Sequence, residues 1–207
     1  MAEPRLTFRR LVGLDRSVVP AETARDQPLR PFTIPNAIGL LRFAGLPVFL
    51  IVAFSSGDGV SFHAAAIYFA IAGADYLDGM AARLTGQYSR FGALLDPLVD
   101  RLLVLAGVAV SWNFELLPRW LLGVLAAREL FMLVMSQIAL RRGQDVSINW
   151  VGRWAVWPTM SALFLAMLYP GLIASLVFGL GVLMSLLATA LYVRVALQWE
   201  GPPSTSS

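Results

Sequence analysis

Asp75 and Asp78 stand three residues apart, Asp96 and Asp100 four apart, and both pairs lie at the edges of long apolar runs. On a helix, spacings of three and four put the two side chains of a pair on one face. An ionised carboxylate inside an apolar span costs about 2.5–3.5 kcal/mol at mid-bilayer and less near the interface. Four at one depth also repel one another. Such a set calls for a cation. Carboxylate and water ligands suit Mg2+ or Mn2+, whereas Zn2+ favours His or Cys. The chain has no Cys, and its single His, His63, falls toward the opposite end of its run. Four carboxylates suffice to bridge two ions, which would clamp both sides of a displacement at phosphorus. The competing reading is a structural network in which the acids pair with Arg83 and Arg101.

The elements that carry these acids are read from composition and hydropathy. The apolar set makes up 57% of the 207 residues, mean hydropathy is +0.68, and charged residues are 14%. Soluble domains carry roughly 25% charged residues, so this chain cannot cover a water-facing surface. Disorder and a disulfide scaffold are disfavoured. The isoelectric point near 9.8 hints at nucleic acid, but the net charge is only +3, so no nucleic-acid partner is expected. A bilayer-crossing helix needs about 20 mostly apolar residues. Six segments fit: Ile34 to Phe54, Val60 to Leu84, Phe91 to Val110, Leu117 to Leu140, Trp154 to Tyr169 and Gly171 to Val193. Pro170-Gly171 divides the last two. The expected fold is therefore all-α, a polytopic membrane protein of six transmembrane helices. The second and third helices are antiparallel neighbours, so the two acid pairs can face each other.

All sixteen basic residues are Arg, and their distribution orients the chain. Twelve fall in the N-terminal arm, the second and fourth connections and the tail; Arg119 alone falls in the others; Arg42, Arg101 and Arg128 lie within spans. The positive-inside rule then places both termini and the acid cluster at the cytoplasmic face of the cell's inner (plasma) membrane. The chain divides into an arm at 1–32, a six-helix catalytic domain at 33–194 and a short tail at 195–207. Residues Leu6, Phe8, Leu11, Val12 and Leu14 interleave with Arg in the arm, which suits an amphipathic helix on an anionic leaflet. A solvated arm is the alternative.

The run Asp75-Tyr-Leu-Asp78-Gly79-Met-Ala-Ala82-Arg83, eight residues, then Gly92-Ala-Leu-Leu-Asp96-Pro-Leu-Val-Asp100, resembles the signature of the CDP-alcohol phosphatidyltransferases. Every fixed position of D-x-x-D-G-x-x-A-R-x8-G-x3-D-x3-D is matched. The resemblance implies that Asp75, Asp78, Asp96 and Asp100 hold two divalent cations, Mg2+ or Mn2+, which bind the pyrophosphate of a CDP-linked lipid. It implies that Gly79 and Ala82 give the nucleotide access, that Arg83 binds its phosphates, and that Asp100 accepts the proton of the attacking hydroxyl. It also implies a homodimer. From the residues alone, Gly79, Ala82 and Gly92 equally suit close helix packing.

Thr33-Ile-Pro-Asn36, Leu40-Leu-Arg42, Pro47, Pro97 and Ala127-Arg128-Glu129 look like the phosphatidylglycerophosphate synthase and cardiolipin synthase branch. The resemblance implies CDP-diacylglycerol as donor, membrane lipids as surroundings and a glycerol-type alcohol as acceptor. Glycerol 3-phosphate, giving phosphatidylglycerophosphate and CMP, comes first; phosphatidylglycerol, giving cardiolipin, comes second. Arg128, Arg141 and Arg153 are the acceptor-binding candidates, since Arg pairs well with phosphate. Arg128 beside Glu129 also suits a buried ion pair, and Arg141 and Arg153 also suit topology signalling. Where the glycerophosphate branch carries G-K-x-K-T, this chain reads Gly152-Arg153-Trp154-Ala155-Val156. Pro97 either kinks the acidic helix or lies in its first turns at little cost. An ion- or proton-coupled transporter is the rival from another class, but its acids would reach mid-span depth or both ends. An intramembrane prenyltransferase would show a second Asp-rich motif.

Overall fold

A computed structural model describes residues 33–85, 89–141 and 150–197, and among these it places six α-helices and no strand. They are α1 (Ile34–Phe54), α2 (Phe62–Thr85), α3 (Arg90–Asn113), α4 (Arg119–Arg141), α5 (Trp150–Ala166) and α6 (Leu172–Leu197). Each covers one of the six apolar segments. The main departure is α5, which starts four residues early and ends at Ala166. Gly152 and Arg153, expected in a connection, are thus in the first turn of a helix. The expected interfacial helix of the arm falls within 1–32, outside the described residues.

Two of the helix starts are capped in the usual way. The Thr33 hydroxyl accepts from the Asn36 amide at 3.3 Å, with Pro35 in the first turn, and the Ser89 hydroxyl accepts from the Gly92 amide at 3.0 Å. Pro97 lies inside α3, well past the first turn, so the Ala93 carbonyl has no amide from residue 97 to bond. Of the two sequence readings of Pro97, the interior one holds.

The buried face of α1 is Asn36, Gly39, Arg42, Leu46, Phe49 and Ala53, a three-and-four spacing that makes one continuous seam. That seam lies between α2 and α3. Toward its far end it is apolar, with Phe49 packed against the fully buried Tyr68 of α2, ring centroids 5.4 Å apart. α5 and α6 pair closely where Gly181 meets Thr159. A Cβ at Gly181 would stand 2.7 Å from the Thr159 backbone nitrogen, so only glycine admits this approach. Two turns on, α6 carries Thr189, which reaches the site described below.

The outside of the bundle is apolar: Leu41, Ile51, Phe69, Trp157, Leu172 and Ile173 are all well exposed. Among the described residues, Ile34–Phe54 and Leu172–Arg194 are long and apolar enough to cross a bilayer, and Val156–Ala166 is a shorter apolar helix. Such a surface associates with membrane.

Gly181→Val is expected to force α5 and α6 apart at Thr159. Overpacking of this kind costs about 1–3 kcal/mol. A lower thermal midpoint in detergent, by several degrees, checks it; an unchanged midpoint would deny the close crossing.

Candidate active site

The starts of α1 and α3 are tied together. Ser89, the cap of α3, donates its hydroxyl to the Asn36 side-chain oxygen at 2.9 Å. Gly92 makes room for this bond, because a Cβ there would lie 2.6 Å from that same oxygen. One turn along, Gly39 faces Leu95 and Asp96; its Cβ would stand 3.4 Å from an Asp96 carboxylate oxygen. One further turn brings Arg42 level with Asp100. The seam of α1 and the acidic face of α3 therefore run side by side, and the glycine of the signature serves a neighbouring side chain.

Arg42 is the hub. Its Nη1 donates to Asp75 Oδ1 at 2.9 Å, its Nη2 to Asp100 Oδ1 at 2.5 Å and its Nε to the Ile71 carbonyl at 3.1 Å. A single guanidinium thus joins the acid of α2 to the acid of α3. The Arg42 side chain is 1% exposed, whereas those of Asp75 and Asp100 are 48% and 43% exposed. The carboxylates open outward above a buried cation. Asp96 lies half-buried against α1 beside them. Of the four acids expected to converge, Asp75 of α2 and Asp100 of α3 share one guanidinium, while Asp96 faces Gly39 of α1 one turn before Asp100. The side chains of Asp78, Ala82, Arg83, Arg141 and Arg153 lie outside the described residues, and Gly79 is half-buried on α2.

Among the described residues, no three acids or histidines close on one point as metal ligands do. Arg42 stands between two of the acids. The donor chemistry still suits a hard divalent cation: oxygen ligands from two facing helices that already converge on one positive group.

The structural reading of the acids named Arg101 as a partner; the structure gives that guanidinium to Glu129 of α4 instead. Neighbouring residues on a helix point about 100° apart, so Arg101 faces α4 while Asp100 faces α1 and α2. Glu129, nearly buried, also receives Nη1 of Arg128. Arg128 Nε donates to the Thr189 hydroxyl at 2.9 Å, which in turn donates to the Ser185 carbonyl at 2.9 Å. Arg128 is therefore held in a three-helix polar group of two cations and one anion. The buried ion pair read from Arg128 beside Glu129 is present. Sequence reasoning did not place Arg42, Asn36 or Ser89 at the site; for Arg42 the signal was available in the periodicity of α1, since an Arg on the buried stripe of an apolar helix must meet an anion.

An open cleft of about 600 Å³ lies at the opposite end of the bundle, lined by Glu115, Pro118, Arg119, Gly171 and Ser175 among others. Its Glu115–Arg119 pair is exposed, and it holds none of the motif residues.

A family model described as CDP-alcohol phosphatidyltransferase matches residues 32–196. The chain is 40% identical over 158 residues to "Cardiolipin synthase (CMP-forming)" of Streptomyces coelicolor, covering 74% of this chain and 73% of that protein. It is 32% identical over 150 residues to a "CDP-diacylglycerol--glycerol-3-phosphate 3-phosphatidyltransferase" of Bacillus subtilis, covering 67% and 78%. The protein of the same description from Escherichia coli K12 is 32% identical over 139 residues, covering 64% and 75%.

Glu129→Leu leaves Arg101 and Arg128 facing each other with no anion between them. Removing one partner of a buried pair costs about 3–5 kcal/mol. The expected outcome is a marked fall in thermal midpoint, larger than that for Arg119→Leu at the exposed Glu115 pair. Equal falls would show that Glu129 does not bind the helices together.

Proposed function

Because the chain belongs to the CDP-alcohol phosphatidyltransferase family, we propose that it moves a phosphatidyl group from CDP-diacylglycerol to a glycerol-type hydroxyl, releasing CMP. The observation that carries this reading is the meeting of Asp75 and Asp100, from antiparallel helices, on one buried guanidinium, both carboxylates staying about half-exposed, with Asp96 one turn before Asp100 on α3. In this reading the six helices all cross the membrane, and the site faces the cytoplasm. The Arg asymmetry of the connections and the apolar exterior support that orientation.

Enzymes of this family generally use divalent metal ions. Asp75, Asp78, Asp96 and Asp100 would hold two of them, Mg2+ or Mn2+, and these would offset the charge of the bound pyrophosphate. The rest of the chemistry falls to the chain. Gly79 and Ala82, one turn apart on α2, leave room for the nucleotide, and Arg83 pairs with its phosphates. The acceptor oxygen forms a bond to the phosphorus that bears diacylglycerol. The bond from that phosphorus to the bridging oxygen breaks, and CMP leaves with the electron pair. Asp100 takes the hydroxyl proton. Its contribution is mostly placement of the acceptor, because a carboxylate near cations is a weak base.

Phosphatidylglycerol is the acceptor this reading prefers. Arg101 and Arg128 share one buried carboxylate, which reduces the positive charge left for a dianion. The run Gly152 to Val156 offers a single basic residue, Arg153. The 40% identical relative is named a cardiolipin synthase. Glycerol 3-phosphate, first on the sequence, is the second reading, supported by the names of the Bacillus and Escherichia relatives. In either case Arg128, Arg141 and Arg153 are the acceptor-facing cations.

The purified chain, given CDP-diacylglycerol with each acceptor in turn, is expected to release CMP and form cardiolipin from phosphatidylglycerol. Product from glycerol 3-phosphate alone would select the second reading, and product from neither would overturn the reaction. Asp100→Asn should lower turnover by at least about 100-fold, the lower range for a proton acceptor, with helical content retained. Near-normal turnover would remove Asp100 from the chemistry.

A further inference from the structure

Arg42 takes no part in the reaction as written, yet it is among the most completely buried side chains of the bundle. Among the described residues it is anchored on two helices, by the Ile71 carbonyl and Asp75 on α2 and by Asp100 on α3. A rigid guanidinium fork fixed at Nε and at both Nη atoms has one geometry, unlike an ammonium on a flexible stem. The contrast in exposure places it beneath the carboxylates, on the inner side of the bundle. One turn further in, Gly45 lets α1 close on Ile71, 3.1 Å from where a Cβ would stand. Gly39, one turn outward, does the same for Leu95 and Asp96. Two glycines therefore flank Arg42 and bring α1 near enough for the fork to reach both acids.

We propose that Arg42 is the positioning residue of the acid cluster: a built-in counter-cation that ties α2 to α3 from below, offsets the repulsion of Asp75 and Asp100, and leaves their outer edges for a divalent ion. The proposal deepens the phosphatidyltransferase reading, resting on it only for what occupies the outer edges. The clamp itself rests on the bonds of Arg42. Asp75 and Asp100 then keep their relative placement before an ion or a nucleotide arrives.

The test is thermal unfolding of the full chain in detergent, with chelator and with excess Mn2+, and without substrate. In chelator, Arg42→Met is expected to lower the midpoint by roughly 10 °C, as for loss of one partner from a buried ion pair in a chain of this size. Arg42→Lys keeps the charge without the fork and should lose clearly less. Adding Asp75→Asn to Arg42→Met should restore part of the loss, because one of the two repelling carboxylates is gone. Should Arg42→Met fail to fold, the double variant is expected to fold where the single does not. Arg42→Lys as damaging as Arg42→Met, or a double variant no more stable than the single, would overturn the clamp. Excess Mn2+ should recover much of the Arg42→Met loss by taking over the neutralisation. Recovery by Asp75→Asn without recovery by Mn2+ would support the clamp and count against the metal role in the proposed reaction, so the two failures are told apart.

Discussion

A guanidinium shut away from water must find acceptors for its donors, and that requirement organises the packing of α1, α2 and α3. Arg42 reaches an Asp75 oxygen, an Asp100 oxygen and the Ile71 carbonyl, and these belong to two different helices. Burying the cation is costly unless it is paired, and the two carboxylates pair with it while staying partly exposed. The pairing is possible only if α1, α2 and α3 come together with fixed rotation and fixed depth. Gly39, Gly45 and Gly92 meet that geometric demand, since each stands where a Cβ would press against Leu95, Ile71 or Asn36.

A second polar group does similar work between α3, α4 and α6. Glu129 accepts from Arg101 and Arg128, and Arg128 continues to Thr189. Asp100 and Arg101 are adjacent in the chain yet belong to different groups, one turned toward α1 and α2, the other toward α4. One turn of α3 therefore connects the acid cluster to the cation that would meet an acceptor. Below this level the interior is apolar, with Phe49, Tyr68, Leu103, Leu163 and Phe178 buried. Among the described residues, the opposite end carries the exposed Glu115–Arg119 pair, and the buried charges Arg42 and Glu129 lie on the side of the acids.

Membership of the CDP-alcohol phosphatidyltransferases accounts for why the acids are present at all. Four carboxylates in an apolar chain weaken folding and insertion unless a cation repays them, and a pyrophosphate ester is a ligand that two bound cations would recognise. Relatives at 40% and 32% identity carry the names of two different activities, a CMP-forming cardiolipin synthase and a CDP-diacylglycerol--glycerol-3-phosphate 3-phosphatidyltransferase.

Composition and hydropathy determined the all-α class and the six helices of the described residues, because a run of apolar residues interrupted by turn formers has few other ways to satisfy its backbone. The spacing of the acids predicted shared helix faces, since helical periodicity is local, and the faces of Asp75 and Asp100 do turn to one guanidinium. Helix ends were less legible: Trp150 to Arg153 continue α5 although Arg153 breaks the apolar run, because backbone bonding tolerates a charge that hydropathy counts against. Partner choice between helices was not legible. Which acid Arg101 meets, and which anions Arg42 meets, depends on how rotated helices face one another across distances of 28 to 58 residues in sequence. Only the packed bundle fixes those rotations, through glycine contacts and ion pairs that form between elements and leave no local mark in either one.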